Sequence, residues 1–176
     1  MSARVGAETS WIFIDVQEAR SVKPSDNSGW SDPYCIVTIG PKTKIGSTRV
    51  IERTLNPRWF QRFRWSGVIN WQKDAYLRFA IHDYDFANKD DCLGVSEIAL
   101  IHLRDGMWES KWYRLYCAKD LSRQTRGWIH LRIHLVDDPS KAFDQQYQKQ
   151  VPQSNARRTV RDVDSRAFST GRIEHQ

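Results

Sequence analysis

Aspartate residues gather in two short stretches of the chain, and their side chains are the ones best suited to chemistry. Asp26 and Asp32 lie six positions apart in S-D-N-S-G-W-S-D-P-Y, and Asp83, Asp85 and Asp91 fall in H-D-Y-D-F-A-N-K-D-D. Exposed carboxylates at ~5 Å repel one another by roughly 1 to 3 kcal/mol. A hard divalent cation removes that repulsion, and calcium accepts about six to eight oxygen ligands. The two clusters therefore predict a Ca2+ site built from loops.

Three alternatives account for parts of the same pattern. Asp, Asn, Ser and Gly also favour turns, so either cluster alone is compatible with a simple turn. An EF-hand starting at Asp83 is excluded, because Asn88 stands at its glycine position and Gly94 at the position of its bidentate Glu. An apolar strand that ends in D-x-D resembles the nucleophile motif of haloacid-dehalogenase-like phosphotransferases, but that fold needs parallel strands joined by helices. No helical periodicity appears where such crossovers would lie, so we expect no catalytic residue and keep an Asp-dependent phosphatase as a remote alternative.

The elements that must position these loops are predicted to be strands. Short runs of alternating, β-branched and aromatic residues recur between turn signals, which is typical of an antiparallel sandwich. In the last run Ile129, Leu131, Ile133 and Leu135 are expected to face the core, while His130, Arg132 and His134 face solvent and hold no metal. Eight strands are predicted near residues 11–17, 34–39, 47–53, 60–65, 75–82, 93–99, 112–115 and 128–136.

Composition predicts one folded domain followed by a tail. The chain has 176 residues, of which 40% are hydrophobic, and this is enough for one core. We expect an N-terminal extension over residues 1–9, a β-sandwich over 10–136 and a polar, basic tail over 137–176 that is disordered or partly helical. Three cysteines without close spacing signal neither disulfides nor zinc, which favours a reducing cytosol.

Four motifs in fixed order carry a resemblance to a known family. They are S-D-P-Y at residues 31–34, T-L-N-P-R-W at 54–59, the D-Y-D triplet with a further Asp eight positions after Asp83, and the step Leu93-Gly94. Over roughly residues 10–136 the sequence resembles a C2 domain, the calcium-dependent phospholipid-binding β-sandwich. The early first aspartate loop and the closing strand G-W-I-H-L-R-I-H-L-V resemble the circularly permuted, type II strand order of that family.

The resemblance implies a set of metal ligands. Loops at one end of the C2 sandwich hold calcium through carboxylates, and the matching positions here are all aspartates: Asp26, Asp32, Asp83, Asp85 and Asp91. Asp90 precedes the family position by one residue and is expected to point to solvent.

Two further groups of residues are candidates for lipid contact. Trp30 and Phe86 are predicted at loop tips, where they either enter a bilayer interface or fold back onto their own loops, and Lys23 and Lys89 flank them. In related C2 domains a basic groove binds phosphoinositide headgroups. In the matching region here Arg49 and Arg53 are predicted to alternate outward along the strand, with Lys42 and Lys44 nearby. Glu52 interrupts this run, and a solvated strand face of mixed charge is favoured over a dedicated groove.

The predicted function is therefore calcium-dependent binding to anionic membrane lipids, in trafficking or signalling. The alternative is an adaptor that binds protein or phosphoinositide without calcium, through the basic strand and the tail. The formal charge of +6 fits anionic partners. Nucleic acid is not expected as a partner, because no recognised binding motif accompanies the charge. We expect a cytoplasmic protein that joins the membrane peripherally when calcium binds, with a protein partner for the tail.

Overall fold

The computed structural model describes residues 9–25, 29–74, 76–86, 90–103 and 109–137, and within them the chain forms eight strands and one short 3-10 helix, Leu100–Leu103. Every described strand pair is antiparallel. The strands are β1 (Ser10–Arg20), β2 (Pro33–Ile39), β3 (Thr43–Ser47), β4 (Arg58–Gly67), β5 (Tyr76–Asp83), β6 (Asp91–Ala99), β7 (Glu109–Cys117) and β8 (Asp120–Val136).

The strands follow one another in the order β3-β2-β5-β6-β7-β8-β1-β4. Between β6 and β7 the register consists of a single pair, Val95 with Tyr116, so the strands divide into two four-stranded layers. Buried side chains of both layers meet in one core, including Phe79 and Ile81 from β5 and Ile14 from β1. The predicted all-β antiparallel sandwich is confirmed, and β8 lies beside β1, as the permuted strand order requires.

The antiparallel registers bring three connections to one end of the sandwich. These are the first loop between β1 and β2, the second loop between β3 and β4, and the third loop between β5 and β6. This end is called the loop end below. The predicted tail, apart from Asp137, lies outside the described residues.

Two strands differ from their predicted positions: β8 begins at Asp120, eight residues before the predicted start at residue 128, and the third strand is displaced along the chain. It was predicted at residues 47–53 but runs over Thr43–Ser47, and the chain from Thr48 onward belongs to the second loop. After Ser47 the backbone N–H groups donate to separate acceptors and not to one neighbouring strand. The N–H of Arg49 donates to Oε1 of Gln61 at 3.0 Å, and the N–H of Ile51 donates to the carbonyl of Pro33 at 3.1 Å. The alternation of side chains in this segment is compatible with a strand. Its backbone, however, forms no continuous ladder of hydrogen bonds with a neighbouring strand.

The outward histidines of β8 differ from the prediction in one case. His130 is half-buried, lies opposite Trp112 of β7 and stacks on its ring with centroids 4.9 Å apart. His134 was predicted to face solvent but is buried, at 4% exposure, opposite Phe13 of β1. A histidine between long neighbouring side chains on a sheet face is covered even though it points away from the core.

Gly127 allows β8 to pass close to the end of β1, which predicts a large cost for any side chain there. Its φ is +97°, and a Cβ would lie 2.7 Å from the carbonyl oxygen of Arg20 and 2.8 Å from that of Ser21. Gly29 has a similar φ of +81°, but no atom of the described neighbours lies within 4 Å of its Cβ position. We expect Gly29→Ala to cost about 1 kcal/mol of unfolding free energy and Gly127→Ala at least about 2 kcal/mol more, measured by denaturant titration. Equal losses in the two variants would contradict this close approach of β8 to β1.

Candidate functional site

The register of β5 with its two neighbours assembles the described aspartates at the loop end. Pro33, the first residue of β2, pairs with Asp83, the last residue of β5. Asp83 also pairs with Asp91, the first residue of β6. Asp32 directly precedes Pro33, so the strand registers place three predicted ligands, Asp32, Asp83 and Asp91, at the same end of the sandwich.

Backbone N–H groups hold two of these carboxylates in place. The N–H of Asp32 donates to Oδ1 of Asp83 at 2.5 Å, and the N–H of Arg53 donates to Oδ1 of Asp32 at 2.6 Å. Asp83 is 4% exposed, whereas Asp32 is half-buried. Hydrogen bonds from N–H groups stabilise charged carboxylates, and these two therefore form a chain of oriented oxygen acceptors across the first, second and third loops.

The second loop braces the first through its T-L-N-P segment. The N–H of Thr54 donates to the carbonyl of Ser31 at 2.8 Å, and the N–H of Ser21 donates to Oδ1 of Asn56 at 3.0 Å. Arg53 adopts a left-handed φ of 52°, which non-glycine residues rarely occupy and which aims its N–H at Asp32. The sequence identified this motif by resemblance without assigning it the role of positioning Asp32.

The side chain of Ser31 stabilises the first loop through internal hydrogen bonds. Its hydroxyl accepts the N–H of Ser25 at 3.0 Å and donates to the carbonyl of Lys23 at 3.3 Å, and the residue is fully buried. Ser25 in turn donates its hydroxyl to Oδ2 of Asp91 at 3.2 Å, which links the first loop to the start of β6. Asp26 lies outside the described residues, directly after Ser25.

Asp90 does not point to solvent, as the sequence suggested, but ties the third loop to the sheet. Its Oδ2 accepts the phenol O–H of Tyr34 at 2.5 Å, and its Oδ1 accepts the N–H of Asp85 at 3.1 Å. Burial, followed by the hydrogen bond to Asp90, raises the pKa of Tyr34, so the hydroxyl remains a donor at neutral pH. The tyrosine of S-D-P-Y was the only signal for this contact, and its position in the sequence does not reveal the partner.

His82 lies on the same side as this pair. It is opposite Tyr34 in the β2–β5 register, and the two rings stack with centroids 5.7 Å apart. Burial lowers the pKa of His82, although the nearby Asp90 carboxylate opposes that effect. A neutral imidazole is therefore favoured next to the phenol, and it can accept or donate a hydrogen bond without adding positive charge to the loop end.

The described carboxylates match calcium in chemistry. Asp32, Asp83, Asp85 and Asp91 supply the hard oxygen atoms that this ion prefers. Within the described ranges, no group of three or more Asp, Glu, His or Cys side chains is close enough together to hold a metal ion. Asp26, the remaining predicted ligand, is outside those ranges.

Aromatic side chains at this end are presented to solvent. Phe86 in the third loop is 94% exposed, and Trp30 in the first loop is 45% exposed. Phe86 therefore does not fold back onto its loop. Lys23 is also exposed near the first loop, and Lys89 lies outside the described residues. Exposure of a phenylalanine ring to water is unfavourable. Burying the ring at an interface lowers the free energy by about 1.5 to 3 kcal/mol.

The four basic candidates do not share one strand. Lys42 directly precedes β3 and Lys44 is its second residue, while Arg49 and Arg53 lie in the second loop at the opposite end of that strand. One guanidinium nitrogen of Arg49 donates to the carbonyl of Arg58 at 3.3 Å. The predicted alternation of Arg49 and Arg53 along a strand face is thus wrong, because both follow β3, and Arg53 belongs structurally to the aspartate site.

No described helix is both long and apolar enough to cross a bilayer.

The relatives of this chain point to a family of modules found inside larger proteins. This chain is 29% identical to a C2 domain-containing protein of Arabidopsis thaliana over 142 residues. The matched region covers 78% of this chain and 17% of the relative. It is 32% identical to multiple C2 and transmembrane domain-containing protein 2 of Mus musculus over 74% of this chain and 14% of that protein. The chain thus spans less than a fifth of the length of either relative.

Solved structures show the same architecture. A C2 domain of plant extended synaptotagmin 1 superposes with a TM-score of 0.61 at 18% identity, covering 73% of this chain and 95% of that domain. A calcium-bound pair of C2 domains from extended synaptotagmin 2 superposes with a TM-score of 0.60 at 26% identity, covering 73% of this chain and 46% of the pair. The family model for the C2 domain matches residues 11–115, more than half of the sequence, and the chain therefore belongs to the C2 domain family.

Proposed function

We propose that the loop end of this C2 domain binds anionic phospholipid membranes, and that Ca2+ controls the binding. One observation carries the proposal: the register of β2, β5 and β6 gathers Asp32, Asp83 and Asp91 at the same end of the sandwich as the solvent-exposed Phe86. A solvent-exposed aromatic next to clustered carboxylates suits a surface that enters a bilayer interface only after its negative charge is neutralised.

Calcium would be held by Asp26, Asp32, Asp83, Asp85 and Asp91, and when bound it supplies positive charge and coordination for lipid phosphate oxygens. The protein contributes the orientation of the carboxylates, through the N–H groups of Asp32 and Arg53. A calcium-bound C2 structure among the similar proteins supports this choice of ion. Lys23, Lys89 and Arg53 would meet the anionic headgroups, each contributing about 1 kcal/mol near the surface.

The domain is proposed to be non-catalytic. The D-x-D segment at Asp83 ends β5, whose neighbours β2 and β6 are both antiparallel to it, whereas the phosphotransferase alternative requires parallel strands. The three cysteines are free thiols, which suits the cytoplasmic side of a membrane. A calcium-independent adaptor remains the second candidate, because Lys42 and Lys44 at the start of β3 are exposed at a distance from the aspartates.

The central test replaces Asp83 and Asp85 by Asn. Asn keeps an oxygen that accepts the N–H of Asp32, so the fold should persist in chelator, but two anionic ligands are lost. We expect the calcium-induced binding to phosphatidylserine vesicles, measured by sedimentation, to fall by at least about tenfold. Calcium should also raise the melting temperature of the wild type by several degrees, and that of the variant much less.

The control for this test removes the same charge elsewhere. Asp74→Asn with Asp120→Asn alters the loop before β5 and the start of β8, neither of which carries a predicted ligand. This variant should bind calcium and vesicles as the wild type does. If the Asp83 and Asp85 variant kept the full calcium response, these loops would not control membrane binding. Vesicle binding that does not depend on calcium would favour the adaptor.

The exposed aromatic tip makes a separate prediction. Phe86→Ala should leave the calcium-dependent change in melting temperature intact, because the ring is 94% exposed and contributes little to the fold. It should weaken binding to vesicles by about tenfold, since the interface no longer buries the ring. Val68→Ala, which truncates another exposed apolar side chain near the end of β4, is the matched control. If both variants bound vesicles equally well, Phe86 would not belong to the membrane-contact surface.

A further inference from the structure

The outward face of the layer β7-β8-β1-β4 carries an unusual concentration of arginine. Because Ile129, Leu131 and Ile133 of β8 are buried in the core, the alternate residues Trp128, His130 and Arg132 point outward. The strand registers then define three rows across the face. They are Arg20–Trp128–Arg114, then Arg58–Glu18–His130–Trp112, then Arg62–Asp15–Arg132–Ser110, with Arg64 beyond them on β4 opposite Phe13.

The charges of this face, called the arginine face below, do not cancel. Six arginines against two carboxylates leave an excess of four positive charges at these positions. Each carboxylate already serves two arginines: Glu18 lies 3.0 Å from Arg20 and 3.1 Å from Arg58. Asp15, which is 3% exposed, accepts two hydrogen bonds from Arg62, at 2.6 and 3.1 Å, and lies 3.9 Å from Arg132.

The remaining two arginines contact tryptophan rings instead of carboxylates. The guanidinium carbon of Arg114 lies 4.7 Å from the ring centroid of Trp128, and that of Arg64 lies 5.5 Å from the ring of Trp11. Among the described residues Nε of Arg114 is buried and has no hydrogen-bond partner. A buried donor without an acceptor is costly. Because Arg114 as a whole is only half-buried, an incoming anionic oxygen has to meet the terminal nitrogens of its guanidinium group and not the buried Nε.

The type of residue indicates what kind of partner fits. The outward positions in these three rows contain no lysine, although the chain has nine lysines among its 27 basic residues. Membrane surfaces attract lysine and arginine alike, whereas protein interfaces are enriched in arginine and tryptophan and depleted in lysine. The guanidinium carbon of Arg20 lies 4.3 Å from the ring centroid of Trp112, on which His130 also stacks, so this tryptophan fixes the position of the Arg20 cation.

We propose that the arginine face is the docking surface for an acidic, extended segment of a partner protein. Side chains two positions apart on one strand are separated by about 6.8 Å, as Arg62 and Arg64 are on β4. An extended segment with a carboxylate at every second position has the same repeat. Its oxygens can therefore accept hydrogen bonds from neighbouring guanidinium groups of one strand, such as Arg62 and Arg64. Arg114 lies on β7, at the other side of the face, so a segment that crosses the strands obliquely reaches both Arg64 and Arg114, which lack a carboxylate of their own in the described structure.

The test uses the full chain in chelator and a fluorescently labelled peptide of alternating Glu and Thr, about twelve residues long, which spans the length of a sheet face. Binding is followed by fluorescence anisotropy. Arg64→Gln with Arg114→Gln should weaken it about tenfold, because two charge-assisted hydrogen bonds are lost. Lys42→Gln with Lys44→Gln removes the same charge at the start of β3, in the other layer, and should change it little.

A charge-preserving variant separates specific docking from general attraction. Arg64→Lys with Arg114→Lys keeps both charges but removes the planar guanidinium groups, and it should weaken peptide binding several-fold. Unchanged affinity in this variant, equal loss in the Lys42 and Lys44 variant, or no peptide binding would overturn the proposal. So would stronger binding of calcium-free phosphatidylserine vesicles or of single-stranded homopolymer RNA through the same two arginines, since the face would then serve a membrane or a nucleic acid. Denaturant titration of each variant verifies that it is folded.

Discussion

The pairing of β2 with β5 is the constraint on which the loop end depends. It sets Pro33 against Asp83, and this register lets the N–H of Asp32 reach the Asp83 carboxylate at 2.5 Å. A shift of one residue would turn Cys35, Val37 and the buried side chains of β5 away from the core, so the hydrophobic core itself fixes the alignment of the acidic groups. Packing free energy thereby keeps these acidic residues at one end of the sandwich despite the repulsion between their charges.

Much of this arrangement follows from patterns that the sequence displays. Strands β2 and β5 alternate between buried and partly exposed residues along their whole length, so hydrophobic periodicity alone locates them to within about two residues. The two Asp clusters follow from the same strand ends, because a residue just before β2 and one at the end of β5 must come together when the strands pair. The clustered carboxylates already indicated a calcium ion, and the family resemblance added the lipid, which neither periodicity nor charge could specify.

The errors arise where a single tertiary contact overrides a local pattern. Residues 48–53 have the alternation of a strand, but their N–H groups are taken by Gln61, Pro33 and Asp32, which are distant in sequence. Asp90 appeared to be a solvent-facing neighbour of a ligand until the sheet placed the Tyr34 hydroxyl against it. The arginine face was also invisible from composition, because its six arginines come from four strands and become adjacent only through the registers of β1 and β8.

The two proposed surfaces are adjacent, and this has a thermodynamic consequence. Arg20 ends β1, and the first loop begins at the next residue, so one end of the arginine face reaches the acidic loops. Charges within about 10 Å of one another are only partly screened at physiological salt. Under the two proposals, an acidic partner on the arginine face would therefore be repelled by the loops without calcium and less so with it. Thermodynamic linkage would then require an equal effect in the other direction. A bound acidic partner would raise the calcium affinity of the loops by the same factor by which calcium raises the affinity for the partner. The arginines nearest to the first loop set the size of this coupling, whereas Arg64, at the far row of the face, contributes to docking with the least effect on calcium.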